Sequence, residues 1–513
     1  MTGKKGKIIL VGSGPGDPDL ITVKGLQAIQ EAEILVYDYL VPGELLSYAS
    51  KDCEKIYVGK KVGCHIMPQK EINSLIVERA REGRLVVRLK GGDPLVFGRG
   101  GEEALAVKEA GVEFEIIPGV TAGVAVPAYA GIPVTHRGIT TSVTFITGHE
   151  DPGKDESEID WASLGSLGGT LVFYMGVGRL GKIAANLIAH GRAPATPVAV
   201  IHRGTTEYQK TVVGNLENIE SKVIEAGFKP PALIVVGEVV LLREKLNWYE
   251  TRPLFGRTVV VTRSREQVSE FSRLLRKQGA RVIELPTIRI APGPDPGLAQ
   301  EALRQLADYD WIVFTSANGV KFFLEALRSE GLDVRAMGKA GLCAIGPATA
   351  AALESSGLKV DLVPETYVAE SVIEALSSQE NLSGKKVLLP RAEIARKVLP
   401  ERLRALGAQV DEVALYSTWI EEPENLEKVR KQLIAGEIDL VTFTSSSTVE
   451  NFVALVGEKE VGAAAGRTIF ASIGPITAAR AEDYGLKSAI VPETYTIAAL
   501  SRAICDYFTQ GKP

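Results

Sequence analysis

The second half of the chain contains one pattern of segments twice. Four pairs of matching segments occur in the same order in both copies, 128 or 129 residues apart. The pairs are GRTVVVTR at 256–263 with GKKVLLPR at 384–391, FTSANGV at 314–320 with FTSSSTV at 443–449, IGPATAAALESSGL at 345–358 with IGPITAARAEDYGL at 473–486, and VPETY at 363–367 with VPETY at 491–495. Each copy alternates β-rich and helical segments, so the repeat predicts two copies of one α/β unit.

Two further segments indicate where the chain passes between the lobes of this half. IAPGPDPG at 290–297 is rich in Pro and Gly, as linkers are, and TWIEEPEN at 418–425 stands one repeat later. We predict that these segments form a two-stranded hinge, with lobe 1 at about 256–290 plus 418–513 and lobe 2 at about 291–417. A cleft between two lobes is a common ligand site.

The first half of the chain has the pattern of a separate α/β domain. Residues 7–242 alternate short β-rich segments, such as KIILVG and PALIVVGEVV, with helical patterns, which predicts a largely parallel sheet. A chain of 513 residues is also too long for one ordinary core. We therefore predict an N-terminal domain at 1–246, a linker at 247–255 and a C-terminal domain at 256–513.

Composition excludes several classes of protein. A net charge of -5 disfavours a general nucleic-acid binder, and the four cysteines are scattered, with only Cys64 and His65 adjacent to each other. We therefore expect no metal site and no disulfide framework. No signal-like segment is seen, and the longest apolar segment is interrupted by Glu238. The expectation is a cytoplasmic protein with neither a membrane nor a nucleic acid as its partner.

Two glycine-rich loops follow β-rich segments in the first half. In ILVGSGPGDPDL at 9–20, a dinucleotide fingerprint requires glycine at positions 12, 14 and 17, but Asp17 brings a negative charge and Pro15 lacks an N–H. The segment VVRLKGGDPLVFGRGGEE at 86–103 repeats the order of strand, glycine turn and Asp-Pro. Two such turns suit a polar or cationic ligand without phosphate, such as a sulfonium. An NAD-dependent oxidoreductase, or simple tight turns, are the alternatives.

The long motifs of the first half resemble, in order and over about 1–248, those of the uroporphyrinogen-III C-methyltransferases. The motifs are LVGSGPGDPDLITVKGLQAIQEAEILVYDYLV at 10–41, YVGKKVGCHIMPQKEIN at 57–73, VVRLKGGDPLVFGRGGEEA at 86–104, IIPGVTAGVAVPAYAGIPVTHR at 116–137, TLVFYMGV at 170–177 and PALIVVGEVV at 231–240. The resemblance implies two α/β lobes with S-adenosyl-L-methionine between them. It also implies two methylations of a tetrapyrrole to give precorrin-2, with S-adenosyl-L-homocysteine as the other product.

The same resemblance implies functional residues. The cofactor-binding residues implied are Pro15, Gly91, Gly92, Asp93, Val96, Thr121, Ala122, Met175 and Gly204. Asp38 is implied as proton acceptor, with a helix cap as the alternative, and Lys60 as proton donor, with a solvated surface charge as the alternative. Because the substrate carries eight carboxylates, cationic residues of the motif loops, including Arg88 and Lys90, are candidates for binding it, although ordinary surface charge would also explain them.

Both copies of the repeat predict helices with similar faces. Apolar residues at helical spacing predict buried faces on two helices. These residues are Val320, Phe323, Leu324 and Leu327 in the first copy, and Val449, Phe452, Val453 and Val456 in the second. Ser, Thr and Asn precede these faces as N-caps, and the segments GPATA and GPITA place Pro in the first turn of further helices. Helix N-termini of this kind suit carboxylates, with simple capping as the alternative.

The second half resembles uroporphyrinogen-III synthase over about 256–510, through VVVTR, FTSANGV, IGPATA, LLPRA, FTSSSTVENF and IGPITA. This implies two flavodoxin-like lobes and the cyclisation of hydroxymethylbilane to uroporphyrinogen III with inversion of ring D, without a cofactor. Tyr416 is implied as a proton donor to the departing hydroxyl, with core packing as the alternative. The candidates for substrate binding are Ser316, Asn318, Thr349, Arg391, Ser446, Ser447 and Thr477.

The two resemblances fit one pathway, because the product of the synthase is the substrate of the methyltransferase. We therefore predict a bifunctional enzyme of siroheme or cobalamin biosynthesis, acting on small tetrapyrroles. The methyltransferase resemblance also implies a homodimer formed through the first half. A non-catalytic protein that binds its ligand between two lobes is the remaining alternative.

Overall fold

The computed structural model describes residues 6–59, 67–148, 158–262, 265–293, 295–420 and 422–510. The chain divides into two compact units. Unit 1 consists of Met1–Arg257, Leu275–Arg281 and Phe508–Pro513, and unit 2 consists of Thr258–Leu274 and Val282–Tyr507. The predicted domain bounds at 246 and 256 stay predictions. None of the described helices is long and apolar enough to cross a membrane.

The described part of unit 1 contains two five-stranded sheets. The strands of the first are β1 (Lys7–Gly12), β2 (Ile34–Tyr37), β3 (Glu54–Tyr57), β4 (Leu85–Lys90) and β5 (Glu113–Ile117), in the order β3-β2-β4-β1-β5. The strands of the second are β6 (Val143–Thr147), β7 (Thr170–Tyr174), β8 (Pro197–His202), β9 (Lys210–Asn215) and β10 (Ala232–Val236), in the order β6-β7-β10-β8-β9.

The first sheet is parallel throughout, as predicted, but the second is mixed. Strand β10 runs antiparallel to both β7 and β8, and β9 runs antiparallel to β8. The prediction of a largely parallel sheet is therefore wrong for the second sheet. The short connection from β8 to β9, at 203–209, leaves no room for the crossover that a parallel pair requires.

Helices connect the strands of unit 1. They are α1 (Val23–Glu31), α2 (Gln69–Arg81), α3 (Gly100–Glu109), α4 (Ala122–Tyr129), α5 (Trp161–Ser166), α6 (Leu180–Ala189), α7 (Ile219–Glu225) and α8 (Arg243–Leu246). Thr22 caps α1 by accepting a hydrogen bond from the Gly25 amide. Because β1, β4 and β5 are parallel, the loops that follow them meet at one edge of the sheet.

Two more five-stranded sheets form the described core of unit 2. The first contains β11 (Thr258–Val261), β12 (Arg281–Glu284), β18 (Leu440–Phe443), β19 (Ile469–Ser472) and β20 (Ser488–Ile490), in the order β12-β11-β18-β19-β20. The second contains β13 (Ile288–Pro292), β14 (Trp311–Phe314), β15 (Gly341–Ala344), β16 (Lys386–Ala392) and β17 (Gln409–Ile420), in the order β13-β17-β16-β14-β15.

Each sheet of unit 2 combines strands from both sequence copies. β11 and β12 from the first copy join β18, β19 and β20 from the second, whereas β14 and β15 join β16 and β17. Neither repeat therefore forms a sheet by itself, and the predicted lobe bounds stay predictions. The two-stranded hinge is the antiparallel ladder of β13 with β17, which pairs Ile288 with Ile420 and Pro292 with Tyr416. The predicted lobe bounds at 290 and 418 fall inside this ladder.

The helices of the second half follow the predicted pattern. They are α9 (Arg265–Lys277), α10 (Pro296–Arg304), α11 (Ala317–Ser329), α12 (Pro347–Ser355), α13 (Ala369–Gln379), α14 (Val398–Ala405), α15 (Leu426–Ala435), α16 (Ser446–Val456), α17 (Glu458–Ala464), α18 (Pro475–Asp483) and α19 (Ile497–Gln510). All eight apolar residues predicted to face the core, on α11 and α16, are buried. Pro347 and Pro475 stand at the first positions of α12 and α18, as expected.

Candidate active sites

Three loops of unit 1 cross in direct backbone contact. Gly14, in the loop after β1, and Gly92, in the loop after β4, exchange two backbone hydrogen bonds, of 3.2 and 2.7 Å. Gly119, in the loop after β5, lies against both loops. A Cβ on Gly119 would stand 2.2 Å from the Gly92 carbonyl oxygen and 2.7 Å from the Cα of Gly12. The crossing therefore requires glycine, and it brings the predicted residues of the three loops together.

Asp93 fastens two of these loops to each other. Its Oδ1 accepts a hydrogen bond from the Leu95 amide at 2.8 Å, and its Oδ2 accepts one from the Gly119 amide at 3.0 Å. Both carboxylate oxygens are thus engaged with the protein backbone. Asp93 therefore shapes the site by holding the backbone of these two loops together. In the same loop Phe97 and Arg99 have φ of 52° and 56°, which is uncommon outside glycine.

Tyr174, at the end of β7, connects the loops that follow β4, β5 and β7. The Gly123 amide donates to its hydroxyl at 2.5 Å, and the hydroxyl lies 2.6 Å from Thr121 Oγ1. The ring centroids of Tyr174 and Phe97 are 5.0 Å apart. The next residue, Met175, has φ of 53° and is 52% exposed. Sequence reasoning singled out Met175 but not Tyr174, although both lie in the motif TLVFYMGV.

The loop after β8 contacts the loop after β1. Thr205 Oγ1 accepts a hydrogen bond from the Asp17 amide at 3.1 Å, and Asp17 Oδ2 accepts one from the Tyr129 hydroxyl at 2.7 Å. Gly204 packs against Val126, since a Cβ there would lie 2.3 Å from a Val126 methyl carbon. Eight of the nine predicted cofactor residues lie in the loops that follow β1, β4, β5, β7 and β8, and the ninth, Ala122, begins α4. Val96 and Pro15 are half-buried.

Asp38 follows β2, and 27% of its side chain is exposed. Its Oδ1 accepts a hydrogen bond from the Leu40 amide at 3.3 Å, and its Oδ2 accepts one from Arg88 Nη2 at 3.3 Å. The carboxylate is thus held from two sides and still reaches solvent. Lys60 lies outside the described residues, and so do Cys64 and His65.

Arg88 and Lys90 do not line a surface, contrary to the expectation that they contact a carboxylate-rich substrate. Both lie on β4 and are 3% and 4% exposed. They bind the buried carboxylate of Glu103 on α3, with distances to Oε1 of 3.3 Å from Arg88 Nε and 2.8 Å from Lys90 Nζ. Burial, and then the neighbouring Arg88, lower the pKa of Lys90. Sequence reasoning missed Glu103, although two cations inside an apolar strand indicate a buried partner.

The second candidate site lies at the hinge strand of unit 2. The Tyr416 hydroxyl is 2.9 Å from Ser316 Oγ, and Ser316 caps α11 by accepting a hydrogen bond from the Gly319 amide at 2.9 Å. The Phe322 ring stacks on the Tyr416 ring, with centroids 5.4 Å apart. Tyr416 is buried. The structure therefore brings together two of the predicted residues, Ser316 and Tyr416.

The other predicted substrate residues of unit 2 lie in different surroundings. Thr349 and Thr477 are buried in the first turns of α12 and α18, and Arg391 is buried with its Nη1 3.1 Å from Glu412 Oε2. Asn318 is half-buried in the first turn of α11. The structure thus places Thr349, Thr477 and Arg391 largely away from solvent.

The N-cap of α16 is Ser445, one residue before the two predicted serines. Its Oγ accepts a hydrogen bond from the Thr448 amide at 3.3 Å and lies 2.9 Å from Ser447 Oγ. Ser446 is half-buried and Ser447 is exposed. Alignment of FTSSSTV with FTSANGV would have found this cap, because Ser445 corresponds to Ser316. In the described ranges no group of three or more His, Cys, Asp or Glu side chains is arranged to hold a metal ion.

Comparison with known proteins finds a different family model for each half of the chain. Residues 7–220 match the family model of the Tetrapyrrole (Corrin/Porphyrin) Methylases, and residues 269–502 match that of Uroporphyrinogen-III synthase HemD. The chain is 39% identical to a Porphyrin biosynthesis protein HemD of Ruminiclostridium josui, over 96% of each chain. It is 43% identical to a Uroporphyrinogen-III C-methyltransferase of Bacillus subtilis, over 74% of this chain and 77% of that one. It is 55% identical to an S-adenosyl-L-methionine-dependent uroporphyrinogen III methyltransferase of Methanosarcina barkeri, over 49% of this chain and 98% of that one.

Proposed function

Because the chain belongs to the family in which a tetrapyrrole methylase precedes a uroporphyrinogen-III synthase, we propose that it converts hydroxymethylbilane to uroporphyrinogen III and methylates that product twice to precorrin-2. It is a bifunctional enzyme of tetrapyrrole biosynthesis that uses S-adenosyl-L-methionine. The observation that carries this proposal is the similarity to a single relative over 96% of both chains, across both halves.

The residues of the first site fit S-adenosyl-L-methionine. The crossing at Gly119 presents backbone groups without side chains, and Pro15 and Asp17 disfavour a diphosphate. Exposed Met175 and Leu95 add apolar surface for the uncharged parts of a ligand. When bound, this cofactor supplies a methyl group on a positively charged sulfur. The loops around Asp93 and Tyr174 would hold the cofactor beside the substrate, and positioning of this kind contributes much of the rate in a displacement.

Asp38 is the proton acceptor in this proposal. The partly exposed carboxylate can accept the proton that the tetrapyrrole loses when a carbon is methylated. The bonds from the Leu40 amide and Arg88 leave lone pairs on both oxygens for this purpose. Lys60 is proposed as the proton donor on the strength of the resemblance alone.

In the second half, Tyr416 is the proposed acid, and this half is proposed to need no cofactor. The C–O bond of the hydroxymethyl group breaks as the Tyr416 hydroxyl delivers its proton, so that water leaves. The carbon then bonds to the α-carbon of ring D that already carries the neighbouring bridge, and the older bridge bond breaks. The released bridge carbon bonds to the other α-carbon of ring D, which loses its proton, so that ring D is inverted. Ser316, 2.9 Å away, orients the phenol, and Phe322 fixes its ring plane. Asn318, Thr349, Arg391, Ser446, Ser447 and Thr477 are proposed to bind the carboxylates.

Replacing Tyr416 by Phe is expected to lower the synthase kcat by about 100-fold, at the lower end of general acid catalysis. The variant keeps the stacking on Phe322 but has no proton to deliver. Steady-state conversion of hydroxymethylbilane measures the effect. Tyr309→Phe is the matched control, because it removes another buried phenol, one that donates to Asp411, away from Ser316. Equal kcat in Tyr416→Phe and wild-type enzyme would remove the acid role.

Cofactor choice separates this proposal from an NAD-dependent oxidoreductase. S-adenosyl-L-homocysteine at about 100 times its Kd is expected to stabilise the enzyme by about 2.7 kcal/mol, whereas NAD⁺ leaves the unfolding temperature unchanged. Thermal unfolding of the full chain with each compound measures the difference. Protection by NAD⁺ without protection by S-adenosyl-L-homocysteine would contradict the proposed cofactor.

The resemblance to the methyltransferases also implies an oligomeric state. We propose a homodimer formed through the methyltransferase half and a cytoplasmic location. Small tetrapyrroles are the proposed substrates, and the proposed pathway is that of siroheme or cobalamin.

A further inference from the structure

Four charged side chains form one continuous network in unit 1. Glu103 Oε1 lies 2.8 Å from Lys90 Nζ and 3.3 Å from Arg88 Nε, and Arg88 Nη2 lies 3.3 Å from Asp38 Oδ2. Gln69 Nε2 also donates to Glu103 Oε1, at 3.0 Å. Arg88 and Lys90 are two residues apart on β4, the middle strand of the sheet, so their side chains lie on the same face. The network therefore extends from the proposed proton acceptor into the interior.

Such a network is costly to bury. The side chains of Glu103, Arg88 and Lys90 are 0, 3 and 5% exposed, and each buried ion costs several kcal/mol of lost hydration. Positions on the middle strand of a parallel sheet are usually apolar. Glu103 Oε2 is buried and has no hydrogen-bond partner among the described residues. A network of this cost is weak evidence for stability, which favours a role in the site.

The charges balance only when Asp38 is included. Arg88 and Lys90 carry two positive charges, and Glu103 supplies one negative charge. Asp38 is the second carboxylate in contact with them, through Arg88. Of the four groups, Asp38 alone reaches solvent to a substantial extent. The interior part of the network thus presents one fixed positive group to the proposed proton acceptor.

Arg88 is held rigidly. Its Nη1 donates to the Leu89 carbonyl at 3.1 Å and to the Val36 carbonyl at 3.5 Å, and its Nε donates to Glu103. These contacts fix the plane of the guanidinium, so its remaining donor, Nη2, points in one direction. A carboxylate that binds this donor is restricted in its rotation.

We propose that Arg88 is a positioning residue for methyl transfer, which orients the Asp38 carboxylate toward the substrate and is itself held by Glu103. The proposal rests on the proposed role of Asp38 as proton acceptor. Lys90 is the second cation bound to Glu103, and it forms no ion pair with Asp38. A misplacement of about 1 Å in a reacting group can cost about 100-fold in rate, which sets the size of the effect expected.

Two matched variants test the proposal in the full-length enzyme. Arg88→Met and Lys90→Met each remove one buried cation from Glu103, but only Arg88→Met removes the contact with Asp38. Methyl transfer from S-adenosyl-L-methionine to uroporphyrinogen III gives kcat and KM, and calorimetry gives the affinity for S-adenosyl-L-homocysteine. Arg88→Met is expected to lower kcat about 100-fold with little change in that affinity. Both variants are expected to lower the unfolding temperature by similar amounts, because each removes one cation from Glu103. Lys90→Met is expected to lower kcat far less than Arg88→Met does.

A double variant separates positioning from structural damage. If Arg88 acts through Asp38, Asp38→Asn combined with Arg88→Met is no slower than Asp38→Asn alone. Arg88→Lys, which keeps the charge but loses the planar fork, is expected to recover part of kcat, and it serves in place of Arg88→Met if that variant does not fold.

Three results would overturn the inference. Equal losses of kcat in Arg88→Met and Lys90→Met, multiplicative losses in the double variant, or full turnover in Arg88→Met would each exclude a positioning role. The parallel assay of Asp38→Asn shows which proposal has failed. If Asp38→Asn keeps full turnover, the proposed proton acceptor is wrong. If it is inactive while Arg88→Met is active, only the positioning role is wrong.

Discussion

Replacing Asp38 by Asn is expected to lower the methyltransferase kcat by about 1000-fold while the synthase activity of the same sample is unchanged. The amide has nearly the same size, so the contact with the Leu40 amide can persist through its oxygen. It cannot accept a proton as a carboxylate does. The two activities, measured separately with uroporphyrinogen III and hydroxymethylbilane, provide the comparison within one preparation.

Asp52→Asn is the matched control for this variant, because Asp52 is an exposed aspartate in the turn before β3. It is expected to keep both activities. Unchanged affinity of Asp38→Asn for S-adenosyl-L-homocysteine would locate the defect in the chemical step. Full methyl transfer by Asp38→Asn would exclude Asp38 as the proton acceptor.

Replacing Gly119 by Ala is expected to weaken binding of S-adenosyl-L-homocysteine by about 100-fold, since overpacking of this kind costs up to about 3 kcal/mol. The new Cβ would stand 2.2 Å from the Gly92 carbonyl oxygen, a backbone atom that cannot move without the loop after β4. The loop after β5 must then move away from the end of β1 and from the loop after β4. Calorimetric titration of the full-length variant measures the loss.

Gly168→Ala is the matched control, since a Cβ at Gly168 meets no atom within 4 Å. This variant is expected to bind the ligand as the wild-type enzyme does. Wild-type affinity in Gly119→Ala would show that the crossing of the three loops does not shape the ligand site.

The repeat predicted the architecture of unit 2 well, because strand and helix periods are local properties of the sequence. The faces of α11 and α16, the caps of their helices and the crossing of the chain between lobes all follow from aligned segments. Ser446 and Ser447, which were predicted to bind substrate, directly follow the N-cap of α16, because FTSSSTV contains three consecutive serines. Alignment of Ser445 with Ser316 identifies the cap among them, and the hydrogen bond from the Thr448 amide to Ser445 Oγ agrees with it.

The second sheet of unit 1 shows where local patterns fail. The apolar segment of β10, within PALIVVGEVV, was predicted as β-rich, but the direction of the strand depends on pairing with distant segments. Since a buried strand is apolar in either direction, the sequence does not show that β10 runs against both of its neighbours.

The candidate site was predictable only in part. The motifs identified the loops that meet at Gly119, but not that Asp93 binds two backbone amides, because that depends on where Gly119 lies in three dimensions. In the same way, Arg88 and Lys90 resembled surface cations of a motif loop. Their partner, Glu103, comes from the helix after that loop, and burial of all three follows from packing that the spacing does not reveal.

Conversion of hydroxymethylbilane by the purified full-length chain, followed by isomer analysis and mass spectrometry, tests the central claim most directly. Without S-adenosyl-L-methionine, the expected product is uroporphyrinogen III, with ring D inverted. With S-adenosyl-L-methionine, the expected product carries two added methyl groups and is heavier by two CH2 units, because each methylation also releases one proton. Formation of only the uninverted macrocycle, or an unchanged mass in the presence of the methyl donor, would contradict the assignment of two consecutive reactions to this chain.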